Sequence, residues 1–335
     1  QDSSQAVYHI GPPPTHPMVM ALMAVAAAAA YQCGTPLSND HDAVKSAFAT
    51  YKTSFLQDRS SVEGAGTCCV NRGSMTGNDC VSEGTAYAML VAAYLSDRST
   101  FDCLWKFAKL HMDSAGLMNW RIGPDGSLWG NGGATDADAD MAFALLVACD
   151  NFGTSEFCSA APPLLYAIAT NETDAGGATK PGEWGGCADA ADPYFSPAVN
   201  PSYFAPAYTS RFAEASAAAP LQAVAAKRWA ATKARNYEIM NAVANAKTGF
   251  LPDWSDCTAA GSQYQCTDTN HCTDMWYDGV RTLWRLSTAA AWHCDADATA
   301  LVQKHVAFFV GGPTAVREGY SLSGSPIYSN TDSRC

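Results

Sequence analysis

Ala134-Thr135-Asp136-Ala137-Asp138-Ala139-Asp140, running without a break into MAFALLVACDNF (141–152), is the stretch on which the reading of the fold turns. The aspartates open an apolar helix. Acids in a first turn are favoured by the helix dipole, but at i, i+2 and i+4 they repel one another. A merely solvated cap therefore explains the three aspartates poorly. Their Asp-x-Asp-x-Asp spacing matches the opening of an EF-hand, yet Met141 stands where that loop needs Gly and Val147 where it needs a bidentate Glu. Calcium is not expected there.

Working outward, helical periodicity dominates and period-two alternation is scarce. Helices are expected over 17–31, 40–56, 82–95, 99–112, 135–150, 159–170, 202–217, 220–231, 232–247, 273–291 and 295–310, with caps at Asp40, Ser82, Ser99 and Thr135. Abundant Ala lets neighbouring helix backbones approach closely. No repeat is visible that would favour a solenoid. Acids recurring at helix starts favour an all-α toroid of helical hairpins, with one rim of loops as the working face. The glycine- and aromatic-rich loops 113–134 and 171–201 are where function is expected.

The chain has 335 residues, 48% apolar and 16% charged, with a mean hydropathy of −0.10. It can bury a large core, and no Pro/Ser/Gly-rich linker divides it, so one domain over 1–335 is expected. The formal charge of −12 supplies no cationic footprint for nucleic acid. Thirteen Cys without a Cys-x-x-Cys pair read as disulfides formed in an oxidising, extracellular setting, with one Cys left over. The seven His show no ligand spacing, and no metal or cofactor is expected. The apolar run 17–31 has no basic residue before it and is shorter than the ~20 residues of a membrane span, so a buried helix begun by Pro17 is expected, not a leader or an anchor. A monomer with no membrane partner is expected. Asn171-Glu172-Thr173 is a glycosylation sequon that matters only in a eukaryotic host.

Acids in apolar, glycine-flanked contexts mark the chemistry. Glu83 opens an apolar helix (SEGTAYAML), and Asp278 stands in DMWYDGVR among Trp276, Tyr277 and Trp284. The plain alternatives are a surface cap and an Asp–Arg pair at i, i+3, which is worth little. Large aromatics beside Asp278 suit stacking on sugar rings. Glycoside cleavage needs one protonated carboxyl to donate to the leaving oxygen and one ionised carboxylate to activate water or attack carbon. Burial raises a carboxyl's pKa and a nearby Arg lowers it, so one fold can supply both.

These residues resemble glycoside hydrolase family 8, the inverting endo-β-1,4-glucanases and relatives built on an (α/α)6 barrel. Ala134–Phe152 looks like the family signature. Further similar stretches are VSEGTAYAML (81–90), GLMNWRI (116–122), NPSYFAPAY (200–208), GFLPDWS (249–255), YDGVRTLWR (277–285) and EGYSLSGSP (318–326), in family order. The resemblance implies Glu83 as general acid, Asp278 as the water-activating base and Asp136 as the residue that holds and distorts the sugar, with Tyr203 close by. It also implies that Trp120, Trp129 and Arg281 line subsites; Tyr277 and Trp184 join them as aromatic candidates. The implied partner is a polysaccharide: β-1,4-glucan, with mixed-linkage β-glucan, xylan or chitosan as alternatives. A carbohydrate-binding protein that had lost turnover is the non-enzymatic alternative, and both carboxylates argue against it. Gly279 departs from the more usual Ala after the Tyr-Asp pair. The family's final Tyr-His stretch and apolar helix are also missing after Pro326, while Tyr8-His9 and helix 17–31 resemble them. A circular permutation is expected, with helix 17–31 packing between the 40–56 and 295–310 helices.

Overall fold

The computed structural model describes residues 41–187, 198–217, 223–257, 271–311 and 316–327. Helix 17–31, Tyr8-His9 and the cap at Asp40 lie outside them, as does the packing expected of a permuted helix. The described residues cluster into two compact units, one ending at Leu164 and the other starting at Leu165.

In the first unit, α1 (His41–Phe55) leads through β1 (Leu56–Asp58) and the single turn α2 (Ser60–Glu63) to β2 (Cys68–Val70), which pairs antiparallel with β1. A second sheet takes the order β3 (Cys80–Val81), β4 (Arg121–Ile122), β5 (Leu128–Gly130). Between them run α3 (Ser82–Tyr94) and α4 (Arg98–Leu110), followed by α5 (Thr135–Phe152) and α6 (Ser155–Asn171). Helix α3 packs on α4 and α5. Both helices bury small residues: Ala86, Ala88, Ala92 and Ala93 of α3 and Ala137, Ala142, Ala144 and Ala148 of α5. Helix α5 is buried on every side over its first three turns, its three aspartates included.

The short strands were not expected, because two- and three-residue pieces carry too little alternation to read. They are fastened covalently. Cys68 and Cys69 are neighbours on β2, so their side chains point to opposite faces. Cys68 is bonded to Cys103 of α4 and Cys69 to Cys80 of β3. Cys149–Cys158 joins α5 to α6, and Cys187–Cys257 closes a long loop in the second unit.

The second unit holds a 3-10 turn (Pro201–Tyr203), α7 (Pro206–Ala217), α8 (Ala223–Val243), α9 (Gly279–His293) and α10 (Ala296–Gly311). Helix α7 packs on α8 and α9, and α9 on α10. Phe250, Met275 and Tyr320 form a buried cluster with Phe308, Phe309 and Leu322 against it.

Several expected boundaries are corrected. The two helices expected over 220–231 and 232–247 are one over the described residues, α8 (Ala223–Val243), since nothing at Ala231-Thr232 breaks the buried stripe Trp229, Thr232, Asn236, Met240, Val243. The helix expected from 273 starts at Gly279, because Met275 is paired with Tyr320 as a β-bridge. Residues 202–217 begin as a 3-10 turn, with the α-helix starting at Pro206. Ser82 and Thr135 are the first helical residues, not caps; Val81 and Ala134 precede them without a side-chain cap. Helix α4 is capped by Asp97, whose carboxylate accepts from Thr100 N, so Ser99 is inside the helix. Among the described residues no helix is long and apolar enough to cross a membrane.

Replacing Cys69 and Cys80 together by Ala is expected to cost about 2–4 kcal/mol. Thermal unfolding followed by calorimetry measures it; an unchanged midpoint would show that the β2–β3 link does not hold this unit.

Candidate active site

The first unit carries Glu83, Asp136, Trp120 and Trp129. Glu83, half-buried, is the second residue of α3. The sheet fixes where that helix starts: Val81 pairs with Arg121, and Ser82 N donates to Trp120 O at 3.0 Å. The helix that bears the glutamate is therefore tied to β4 and to Trp120 just before it. Tyr51 of α1 is close enough to feel Glu83: burial first, and then that glutamate's charge, push the Tyr51 hydroxyl up to about 12.

Trp120 and Trp129 remain exposed, at 37% and 45%, and a cation holds them in order. The Arg121 guanidinium lies 5.9 Å from the Trp120 ring centre and 5.2 Å from that of Trp129. Arg121 is in turn gripped by Asp79, which is fully buried and also pairs with Arg72. Burial opposes the Asp79 charge, but bonds from Arg72, Thr76 and Arg121 win and hold its pKa below the ordinary carboxylate value. Gly130 is required here, because a Cβ would lie 2.3 Å from Trp120 Cε2.

Asp136 is 2% exposed and accepts from Ala137 N at 2.9 Å. Asp138 and Asp140 are fully buried, and Asp138 accepts from Met118 N at 3.1 Å, pinning loop 113–134 to the start of α5. All three aspartates are buried, unlike a solvated cap.

The second unit carries Asp278, Arg281, Tyr203, Tyr277 and Trp184. Asp278 stands just before α9. Its carboxylate accepts from Asn200 Nδ2 at 2.8 Å and from the Arg281 guanidinium one turn on. Asn200 also caps the 3-10 turn through Ser202 N, so one amide orients both the base candidate and the turn that carries Tyr203. Arg281 lies 5.5 Å over the Tyr203 ring. Tyr203 is tilted against Trp254 at 6.3 Å, and Trp254 stacks on Trp184 at 6.0 Å. The Val199–Ser255 bridge and the Cys187–Cys257 disulfide bring these three segments together. Tyr277 stacks on Trp276 at 4.1 Å and donates to Glu318 at 3.2 Å.

Sequence reasoning missed Asn200, Asp253, Trp254, Asp79 and Tyr51. Asn200, Asp253 and Trp254 fall within stretches quoted above, but nothing local marks their roles: each acts on a residue distant in sequence. Asp253 is 4% exposed, and its Oδ1 accepts from Gly279 N at 2.6 Å and Trp276 N at 2.8 Å. Burial first, and then the charge of Asp278, raise its pKa to about 7 despite bonds from the backbone of Gly279, Trp276 and Asp278. Gly279 is explained by the same packing: a Cβ would lie 2.7 Å from Leu251 O. Among the described residues no group of His, Cys, Asp or Glu could hold a metal ion.

Comparison with known proteins follows this geometry. Residues 14–334 match the model of "Glycosyl hydrolases family 8". The chain is 33% identical over 312 residues to Endoglucanase 2 of Ruminiclostridium josui, covering 90% of this chain and 62% of that protein. It is 33% identical over 270 residues to Endoglucanase C of Ruminiclostridium cellulolyticum, covering 78% and 54%. The chain thus spans little more than half the length of these relatives. The apo structure of a β-1,3-1,4-glucanase from Paenibacillus sp. X4 superposes with a TM-score of 0.75 at 25% identity, over 90% of this chain and 81% of that one. This likeness bears out the all-α, (α/α)6-barrel class expected from the sequence.

The raised Asp253 carboxyl has a measurable consequence. The folded protein holds a proton there that the unfolded chain, near its ordinary pKa, gives up, so stability from this group is full below about pH 4 and is lost as pH rises through about 7. Asp253→Asn is expected to flatten the fall in unfolding free energy across that window, measured by urea titration at a series of pH values. An unaltered slope would refute the assignment.

Proposed function

Because the chain belongs to glycosyl hydrolase family 8, we propose that it is an endo-acting hydrolase of β-1,4-glucan that inverts the anomeric centre. Glu83 gives its proton to the glycosidic oxygen as the bond to the anomeric carbon breaks. Asp278 takes a proton from the water that attacks that carbon from the opposite face. Asp136 holds the sugar at the cleavage subsite with Tyr203 close by, and Trp120, Trp129, Trp184, Tyr277 and Arg281 line the subsites. Inversion requires the two carboxyl groups roughly 6.5–9.5 Å apart, to leave room for the water. No metal or cofactor enters this chemistry.

The observation that carries the reading is the setting of Asp278. Its carboxylate is oriented by Asn200 and Arg281, and Arg281 and Tyr203 connect it to the stacked rings of Trp254 and Trp184. A base beside a row of flat rings suits a neutral sugar chain, whose faces stack and whose ring oxygens need no countercharge. The relatives named as endoglucanases support glucan as the substrate. A second reading, mixed-linkage β-glucan, is favoured by the likeness to the β-1,3-1,4-glucanase structure; xylan and chitosan fit the same mechanism. The disulfides support an extracellular setting, and we read residues 1–335 as one catalytic domain working as a monomer.

Proton NMR of the first products from a soluble β-glucan should show the α-anomer. Glu83→Gln and Asp278→Asn should each lower kcat by about 100-fold or more. First products in the β-configuration, or full turnover by Glu83→Gln, would sink the proposal. Rates on carboxymethylcellulose, lichenan, xylan and chitosan rank the substrates.

A further inference from the structure

Asp278 occupies the cap position of α9, yet its own carboxylate makes no cap bond. An aspartate in that place ordinarily turns back to accept from the second or third backbone amide of its helix. Here Val280 N donates to Trp276 O at 3.2 Å and Arg281 N to Asp278 O at 3.0 Å, so backbone carbonyls take the second and third amides, and the amides of the turn ahead of them are served from another segment. Asp253, on the 249–255 segment, presents one buried oxygen to Gly279 N at 2.6 Å and to Trp276 N at 2.8 Å, and the Asp278 backbone also bonds to its carboxyl. The segment is itself tied down: Asp253 N donates to Asp274 O at 2.8 Å and Trp254 N to Cys272 O at 2.7 Å. Relieved of capping, the Asp278 carboxylate reaches Asn200 and Arg281 instead. The turn and the 249–255 segment meet at Gly279, where a Cβ would lie 3.0 Å from Asp253 Oδ1 and 2.7 Å from Leu251 O.

We propose that Asp253 is the positioning residue for Asp278: a clamp supplied by a distant segment, which fixes the 276–279 turn and leaves the Asp278 carboxylate directed at the attacking water. This rests on the reading of Asp278 as the base. The charged groups around the pair are Arg281 on α9 and the His271–Asp274 pair on the preceding segment. A proton held on Asp253 keeps two negative charges from being buried together.

Three variants in the intact enzyme test this, with kcat and KM measured on a soluble β-glucan and folding verified by circular dichroism. Asp253→Asn keeps the accepting oxygen and should retain kcat within about threefold, while Asp253→Ala loses it and should lower kcat about 100-fold with KM little changed, the cost of a displaced catalytic group. If Asp253→Ala does not fold, Asp253→Glu takes its place: it keeps the charge but lengthens the arm, and kcat should fall about 10-fold or more. Wild-type kcat in a folded Asp253→Ala or Asp253→Glu, or an Asp253→Asn as impaired as Asp253→Ala, overturns the proposal. Asp278→Asn separates the two readings. If it is inactive while Asp253→Ala is normal, the positioning role fails; if it stays active, the base assignment fails.

Discussion

The first backbone N–H groups of an α-helix have no partner within the helix and must be satisfied from outside it. How this chain meets that demand sets much of its chemistry. Helices α3, α5 and α9 all begin without a side-chain cap from the residue that precedes them. Each carries an acid at its threshold: Glu83, Asp136 and Asp278. An acid not consumed by capping still feels the favourable field of the helix dipole, and its carboxyl is available for other partners. At α9 backbone carbonyls take Val280 N and Arg281 N, and Asp253 takes Gly279 N just ahead of them.

The aromatic residues are placed by a different device. A large exposed ring is costly to hold in one orientation unless something rigid backs it. In the first unit the backing is a buried anion: Asp79 fixes Arg121, and the guanidinium lies between Trp120 and Trp129. In the second unit the rings back one another, from Trp184 through Trp254 to Tyr203, and Arg281 continues the row to Asp278. In both, an arginine couples an acid to aromatic rings; Cys69–Cys80 closes the loop that carries Asp79, and Cys187–Cys257 the one that carries Tyr203 and Trp254. That use of cysteine suits a chain whose short strands supply few backbone bonds of their own.

Burial sorts the aspartates by task. Asp138 and Asp140 are sealed inside, and Asp138 serves the backbone of loop 113–134. Asp79 is sealed too, but two arginines balance it. Asp253 is sealed beside another carboxylate, which is why its proton is held so firmly. Asp278 keeps a quarter of its side chain accessible, at 26%, enough for a substrate to reach.

The helices, their Ala-mediated packing and the family were legible in the sequence, because period and composition act locally and the signature at Ala134–Phe152 is contiguous. That Glu83, Asp136 and Asp278 stand at helix starts was legible for the same reason: an acid before an apolar run can be read one residue at a time. The caps at Ser82, Ser99 and Thr135 were misread, and α9 was started too early, because the partner that ends or begins a helix is chosen by tertiary contact. Asn200, Asp253 and Trp254 lay in plain view without a role, since each works on a side chain or turn that folding alone brings near. The chain's order of residues therefore determined what chemical groups it owns and which lie at helix starts. Only the folded structure decided which amide each carboxylate would serve, because a hydrogen bond is short and its partner can come from anywhere along the chain.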